Sequence, residues 1–281
     1  MTVERAPASR KLEALRRLLG ALPGAVVAYS GGADSAFLAF VAHQVLGDRV
    51  VAVTADSPSI PRRELRAAVA FTRRCGIPHR VIPTAELSDD RYVRNDGSRC
   101  FFCKEHLMDA LLGQPELANG ADILLGVNVD DLGDHRPGQD AASRQGGRFP
   151  LVEAGLTKGE IRALSRELGL PTWDKPAAAC LSSRLAYGVP VTREALSRVE
   201  RAEDALRSLG FSGDLRVRDQ GGDLVRIEVD PEHFSRLLSI RTEVVRALRA
   251  AGFLFVTLDL EGYRSGSHNV VLSLGRVVRG R

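Results

Sequence analysis

The 281-residue sequence predicts an α/β fold, a doubly wound parallel sheet followed by a smaller C-terminal α+β domain. Two observations carry this. Up to about residue 168, short and almost wholly apolar runs alternate with segments of helical period, as buried parallel strands and their crossover helices do. Beyond Tyr187-Gly188 the order becomes α-β-β-α-β, which places a boundary there and divides the chain into 1–188 and 189–281.

Taken in order, residues 10–22 carry Leu12, Leu15, Leu18, Leu19 and Leu22 at helical spacing, and Pro23-Gly24 stops them. Residues 25–29 (AVVAY) form the first buried strand, two glycines follow, and residues 35–46 resume a helical pattern. Strands are expected at 49–54, 79–82 and 123–127, with a helix over 61–75 that has proline near its start. The connection 130–149, rich in Asp, Gly and Arg, is long enough to suggest a functional loop. A helix over 157–168 ends at Gly169 and Pro171. In the second domain the pattern gives helix 193–209, strands 215–218 and 224–229, helix 231–250 and strand 253–258.

Hydrophobic residues make up 44% and charged residues 26% of the chain, an ordinary soluble composition. No apolar run approaches the length of a membrane span, and Glu4, Arg5, Arg10 and Lys11 argue against a leader peptide, so a cytoplasmic protein is expected. The net charge of +4 comes from 39 basic and 35 acidic residues without a Lys/Arg block, which suits anionic substrates as well as nucleic acid.

The strongest local signal is Ser30-Gly31-Gly32-Ala33-Asp34-Ser35, placed between the first strand and a helix. Glycines let backbone N–H groups approach a polyanion, the helix N-terminus adds its dipole, and the serine hydroxyls can donate to phosphate oxygens. Asp34 is out of place among phosphates unless it meets Mg²⁺, which ATP brings. The pattern is neither the Walker loop nor a dinucleotide fingerprint. It resembles the loop of the N-type ATP pyrophosphatases, which cleave ATP between the α and β phosphates.

Of four cysteines, Cys100 and Cys103 stand at C-x-x-C spacing just before a helix, where its dipole and Lys104 favour thiolate. Cys180 follows in a small-residue loop ending Ser182-Ser183-Arg184. Three thiolates form an incomplete tetrahedral set with one open position. Cys75, at a helix end beside a strand, reads as structural.

Further motifs point to one family. They are Gly126-Val127-Asn128 with Asp130-Asp131-Leu132-Gly133-Asp134, Arg136-Pro137-Gly138, Pro150-Leu151 with Glu153 through Lys158, and Leu170 through Pro176. Ala179-Cys180-Leu181-Ser182-Ser183-Arg184 and Gly262-Tyr263-Arg264-Ser265-Gly266 complete the set. Together with the loop they resemble the LarE family of ATP-dependent sulfur transferases, which mature the nickel-pincer nucleotide of lactate racemase. The resemblance implies a PP-loop fold of the adenine nucleotide alpha hydrolase-like type. It implies ATP contacts at Ser30, Gly31, Gly32, Asp34, Ser35, Thr54, Gly126 and Lys158, with Mg²⁺ on Asp34. The implied substrate is pyridinium-3,5-biscarboxylic acid mononucleotide, with Arg184, Arg216 and Arg264 as its anion contacts. Sulfur would come either from a [4Fe-4S] cluster held by Cys100, Cys103 and Cys180, the form the three cysteines favour, or from Cys180 itself, left as dehydroalanine. A hexamer and other nickel-pincer biosynthesis proteins are the implied partners, with no nucleic acid or membrane.

Rival readings are a tRNA thiolation enzyme, which shares the loop and a C-x-x-C pair, and a non-catalytic nucleotide sensor. Glu200 and Glu203 lie at i, i+3, where most such pairs are solvated, and Trp173 reads as core rather than as an adenine platform.

Overall fold

The structure is a computed structural model and describes residues 7–133, 142–176, 179–264 and 266–267. Asp134, Arg136-Pro137-Gly138, Ala177, Ala178 and Ser265 of the sequence motifs lie outside the described residues. The chain separates into two compact units. The first comprises Met1–Ser57, Arg62–Thr84 and Cys103–Ala178, and the second Pro58–Pro61, Ala85–Phe102 and Ala179–Arg281.

The first unit is built on four parallel strands, β1 (Ala25–Ala28), β2 (Val50–Asp56), β3 (His79–Pro83) and β4 (Asp122–Leu125), in the order β3-β2-β1-β4. Side chains alternate across it. Val27, Tyr29, Ala52 and Leu124 face one core with α1 (Pro7–Gly20), α2 (Ala33–Leu46) and Ala68 and Phe71 of α3 (Arg62–Arg74). Val26, Val51, Val53, Ile123 and Leu125 face another with Met108 and Leu111 of α4 (Arg99–Leu112). Burial on both faces is why these strands read as unbroken apolar runs. The chain leaves β1 towards β2 on one side and returns to β4 on the other, so the carboxyl ends of β1 and β4 form a topological switch point, the usual ligand position in such sheets. The last helix beside this sheet, α5 (Lys158–Glu167), starts from a capping box between Thr157 and Glu160.

The second unit carries α6 (Arg193–Ser208), β5 (Leu215–Asp219), β6 (Leu224–Val229), α7 (Arg241–Ala250) and β7 (Phe255–Leu258). Its sheet has the order β5-β6-β7, antiparallel then parallel. The helix expected over 231–250 is broken: a turn at Pro231–His233 leads into Phe234–Ser239, and Ile240 (φ −110°, ψ 27°) leaves the helical region before α7. The C-x-x-C pair was expected just before a helix but lies inside its first two turns, because α4 already begins at Arg99.

Candidate functional site

In the first unit, residues 29–32 connect β1 to α2. Gly31 has φ +76°, a left-handed conformation that glycine accepts without strain, and a Cβ there would sit 3.1 Å from that of Ala68. The Ser30 and Ser35 hydroxyls are 3.0 Å apart, Ser35 Oγ donates to Gly32 O at 3.2 Å, and the Gly32 N–H donates to Ser30 Oγ at 3.4 Å. No side chain caps α2, so the positive end of the helix is left for an anion. Gly126 directly follows β4, and a Cβ on it would lie 2.8 Å from both N and Cα of Ser35. Only glycine lets the chain after β4 come this close to the first turn of α2 at the switch point.

Asp34, on the first turn of α2, accepts a hydrogen bond at Oδ2 from Asn128 Nδ2 at 3.3 Å, while its buried Oδ1 has no hydrogen-bond partner among the described residues. Asn128 is fully buried and is itself oriented: its N–H donates to Asp131 Oδ2 at 3.2 Å, and its Oδ1 accepts from the Asp130 N–H at 2.9 Å. Burial raises the Asp34 carboxyl above its ordinary value. Lys158, Arg162 and the Asn128 hydrogen bond oppose the rise, and Asp131 adds to it. Lys158 and Arg162 share a face of α5 one turn apart, and the Lys158 N–H is fixed on Asp130 Oδ2 at 2.9 Å. Lys175 Nζ donates to Gly31 O at 2.8 Å and pairs with Glu64 at 2.8 Å, while Arg162 Nη2 donates to Lys175 O at 3.1 Å. Loop amides, serine hydroxyls and the cations Lys158 and Arg162, gathered at the start of α2, suit a polyphosphate. The orphaned Asp34 oxygen beside Asp131 fits Mg²⁺, which takes one or two carboxylates and completes its shell with phosphate and water.

Thr54 is differently placed. Its buried hydroxyl donates to Tyr29 O at 2.9 Å and lies 2.8 Å from His79 Nε2, so it is engaged inside the sheet and fixes the chain entering the loop. Trp173, expected in the core, is exposed, with the Arg166 guanidinium 5.0 Å from its ring centroid.

In the second unit Cys180 precedes the single turn Leu181–Arg184. Its partly buried Sγ lies 3.0 Å from Ser182 Oγ, and Ser183 Oγ donates to its carbonyl at 2.7 Å. Arg99 ties the turn to the start of α4, donating to Ser182 O at 2.9 Å and to Asn95 Oδ1. Asn95, buried with φ +55°, donates in turn to Ala186 O and Val189 O, both at 2.8 Å. Burial alone would push the Cys180 thiol up. The Arg99 guanidinium, the Ser182 hydroxyl, the Ser183 N–H and Arg184 outweigh it and hold the thiol below its usual range.

Arg184, expected to meet a substrate anion, is 2% exposed and already spoken for. Its Nε donates to Glu203 Oε1 at 2.8 Å, and its Nη1 to Ala179 O at 2.6 Å and Cys180 O at 3.0 Å. It therefore braces the Cys180 turn. Glu203 is not a solvated partner of Glu200 but is wholly buried, taking the Val217 N–H at 3.3 Å as well. Arg216, buried, donates to Leu215 O at 2.8 Å and lies 4.9 Å from the Tyr263 ring centroid; burial and neighbouring Arg184 pull its pKa down. Arg218 pairs with buried Glu228 at 2.7 Å, and exposed Arg264 pairs with Glu261.

No two of the four cysteines are joined by a disulfide. Cys100 and Cys180 both act on Arg99 and Tyr187. Among the described residues no three His, Cys, Asp or Glu side chains gather as a metal-holding group. Asn128, Asp131, Arg162, Lys175 and Arg99 are the site residues that sequence reasoning passed over. Three of them stood inside quoted motifs, and the other two had as their only signal helical spacing from Lys158 or adjacency to Cys100.

No family model matches the chain. It is 48% identical over 267 residues to an uncharacterised protein of Synechocystis, covering 94% of this chain and 98% of that one. It is 37% identical over 248 residues to the pyridinium-3,5-bisthiocarboxylic acid mononucleotide synthase of Lactiplantibacillus plantarum, covering 88% and 89%. One of the subunits of the glutamine-hydrolysing GMP synthase of Thermoplasma acidophilum is 27% identical over 81% of the chain and 74% of its own length. No helix among the described residues is long and apolar enough to cross a membrane.

Proposed function

We propose, from the premise that the chain belongs to the LarE family of ATP-dependent sulfur transferases, that it converts the carboxylates of pyridinium-3,5-biscarboxylic acid mononucleotide to thiocarboxylates. The observation that carries this is the loop at the switch point, where Gly126 admits Ser35, α2 is uncapped, and Lys158, Arg162 and Lys175 surround it. A carboxylate oxygen attacks the α-phosphorus of ATP, the Pα–O bond to the β-phosphate breaks, and pyrophosphate leaves. Oxide is too poor a leaving group for sulfur to displace directly, whereas AMP is a good one. Lys158 and Arg162 stabilise the charge gathering on pyrophosphate. Mg²⁺ on Asp34, when bound, supplies further neutralisation there.

Sulfur transfer follows at Cys180, whose thiol is disposed to ionise and whose turn is fixed on both sides. The thiolate attacks the acyl carbon and expels AMP, giving a thioester. Loss of the Cys180 Cα proton and cleavage of its Cβ–S bond leave the sulfur on the substrate and dehydroalanine at 180. Arg216 and Arg264 complete the substrate site by family likeness, and the chain works as a homo-oligomer, a hexamer by the same likeness, alongside other enzymes of nickel-pincer biosynthesis.

Cys180→Ala separates the two halves: pyrophosphate release on adding ATP and the pyridinium substrate is retained, and thiocarboxylate is lost. Wild-type protein that releases no pyrophosphate in this assay refutes the reading. Intact mass after turnover, measured with iron on anaerobically purified protein, assigns the sulfur source. Loss of the mass of hydrogen sulfide from an iron-free chain supports Cys180 as donor; unchanged mass with stoichiometric iron supports the three-cysteine cluster. Salt-sensitive retention of tRNA with no turnover of the pyridinium compound favours the thiolation enzyme of RNA instead.

A further inference from the structure

We propose that Lys175 is the residue that keeps the phosphate loop in its anion-binding orientation, an inference that rests on the reading of that loop as an ATP site. A Gly-Gly peptide is the easiest in a chain to turn over, because both of its flanking residues reach positive and negative φ alike. If the Gly31–Gly32 peptide turned, a carbonyl oxygen would replace an N–H at the loop's inner rim and repel phosphate. In this structure the Gly31 carbonyl is held by Lys175 Nζ at 2.8 Å. The peptide is trans, so its C=O and N–H point in opposite directions, and holding the C=O on Lys175 aims the N–H the other way, towards Ser30 Oγ of the loop. Among the described residues the Gly32 N–H meets Ser30 Oγ alone, at 3.4 Å, a long contact that a phosphate oxygen can displace.

Lys175 is itself held in place. Its ammonium pairs with Glu64 at 2.8 Å, which fixes the charge without using up every donor, and its backbone carbonyl takes Arg162 Nη2 at 3.1 Å. Glu64 in turn lies beside Arg63, and its carboxyl sits below the ordinary range: burial opposes this, but Lys175 and Arg63 outweigh it. The lysine thus acts through the backbone of the loop and is a positioning residue.

The test is Lys175→Met, which keeps the stem and removes the donors. ATP affinity, measured by titration calorimetry, is expected to fall about 10- to 100-fold, the range for losing a hydrogen bond to a charged donor. The decisive readout is the amide resonance of Gly32 in glycine-labelled protein, assigned by its loss in Gly32→Ala. In wild type ATP shifts it downfield as it binds phosphate; in Lys175→Met at saturating ATP the shift is absent. Lys175→Met that binds ATP as wild type does overturns the inference. So does weakened binding with the Gly32 shift intact, which would make Lys175 a direct phosphate ligand. Should the methionine variant fail to fold, Lys175→Gln is read by the same two measurements. Wild-type protein that binds no ATP would instead sink the reading of the loop.

Discussion

Replacing Arg184 by methionine tests the claim that this residue supports the Cys180 turn instead of holding substrate. Methionine keeps most of the stem and removes the guanidinium. Glu203, wholly buried, would lose its partners at 2.8 and 3.4 Å and retain the Val217 N–H at 3.3 Å. Breaking a buried ion pair from one side costs about 3–5 kcal/mol, because the other charge stays behind uncompensated. For a domain of this size about 2–4 °C of melting temperature accompanies each kcal/mol, so the transition of the second unit is expected to fall by about 10 °C in scanning calorimetry. The pH dependence has a definite sign. In the wild type Arg184 outweighs burial and keeps the Glu203 carboxyl low, so its contribution is present above the unfolded carboxylate pKa and is lost as pH falls through the lower folded one. In the variant Arg216 and the Val217 N–H still oppose burial but the largest opposing group is gone, so the Glu203 carboxyl rises and the gap between the two proteins narrows as pH is lowered from 7. Adding Glu203→Leu recovers most of the loss, since an apolar pair fills the space without a stranded charge. A variant that melts like the wild type but shows a raised KM for the pyridinium substrate would refute the argument and return Arg184 to the substrate.

Two further outcomes follow from the geometry. Gly126→Ala places a methyl 2.8 Å from Ser35 N and Cα, both backbone-bound atoms that cannot swing aside, so about 1–3 kcal/mol of stability is lost in urea unfolding and ATP binding falls with it. Alkylation of Cys180 by iodoacetamide reaches half its maximal rate at a lower pH than that of Cys75, since the first thiol is held below its usual range and burial pushes the second above it. Arg99→Met moves the Cys180 curve, and not the Cys75 curve, to higher pH; peptide mapping of the two labelled sites checks both statements.

The α/β architecture was legible because a strand buried on both faces is apolar almost throughout, so Ala25–Ala28 and the first four residues of Val50–Asp56 stood out without any partner being known. The phosphate loop was legible for a related reason: its chemistry is local, and strand, glycines and helix start are contiguous. The makeup of the second unit was not. Ala85–Phe102 joins it through Asn95, whose amide reaches carbonyls some ninety residues away at Ala186 and Val189, and no periodicity records such a bond.

The burial of Arg184 was hidden for the same reason. Ser-Ser-Arg beside a cysteine looks like a polar, open loop until Glu203 arrives from α6 to bury it. Lys175 is bound to a loop 144 residues earlier in the chain, and its own neighbours say nothing of the carbonyl it holds. A charged residue announces a charge but not its destination, since a carboxylate, a backbone oxygen and a phosphate all satisfy a cation equally well in one dimension. Burial decides among them. Where the cation is sealed against a carboxylate, as Arg184 is, desolvating it again for a ligand is too costly, and it serves the fold. Where cations stand half-buried about an uncapped helix and a carboxylate, as Lys158 and Arg162 do, they remain able to meet a ligand's charge. By that criterion the nucleotide site is identified less by its serine-glycine motif than by the half-buried cations Lys158 and Arg162, which stand at the helix start without being sealed into the fold.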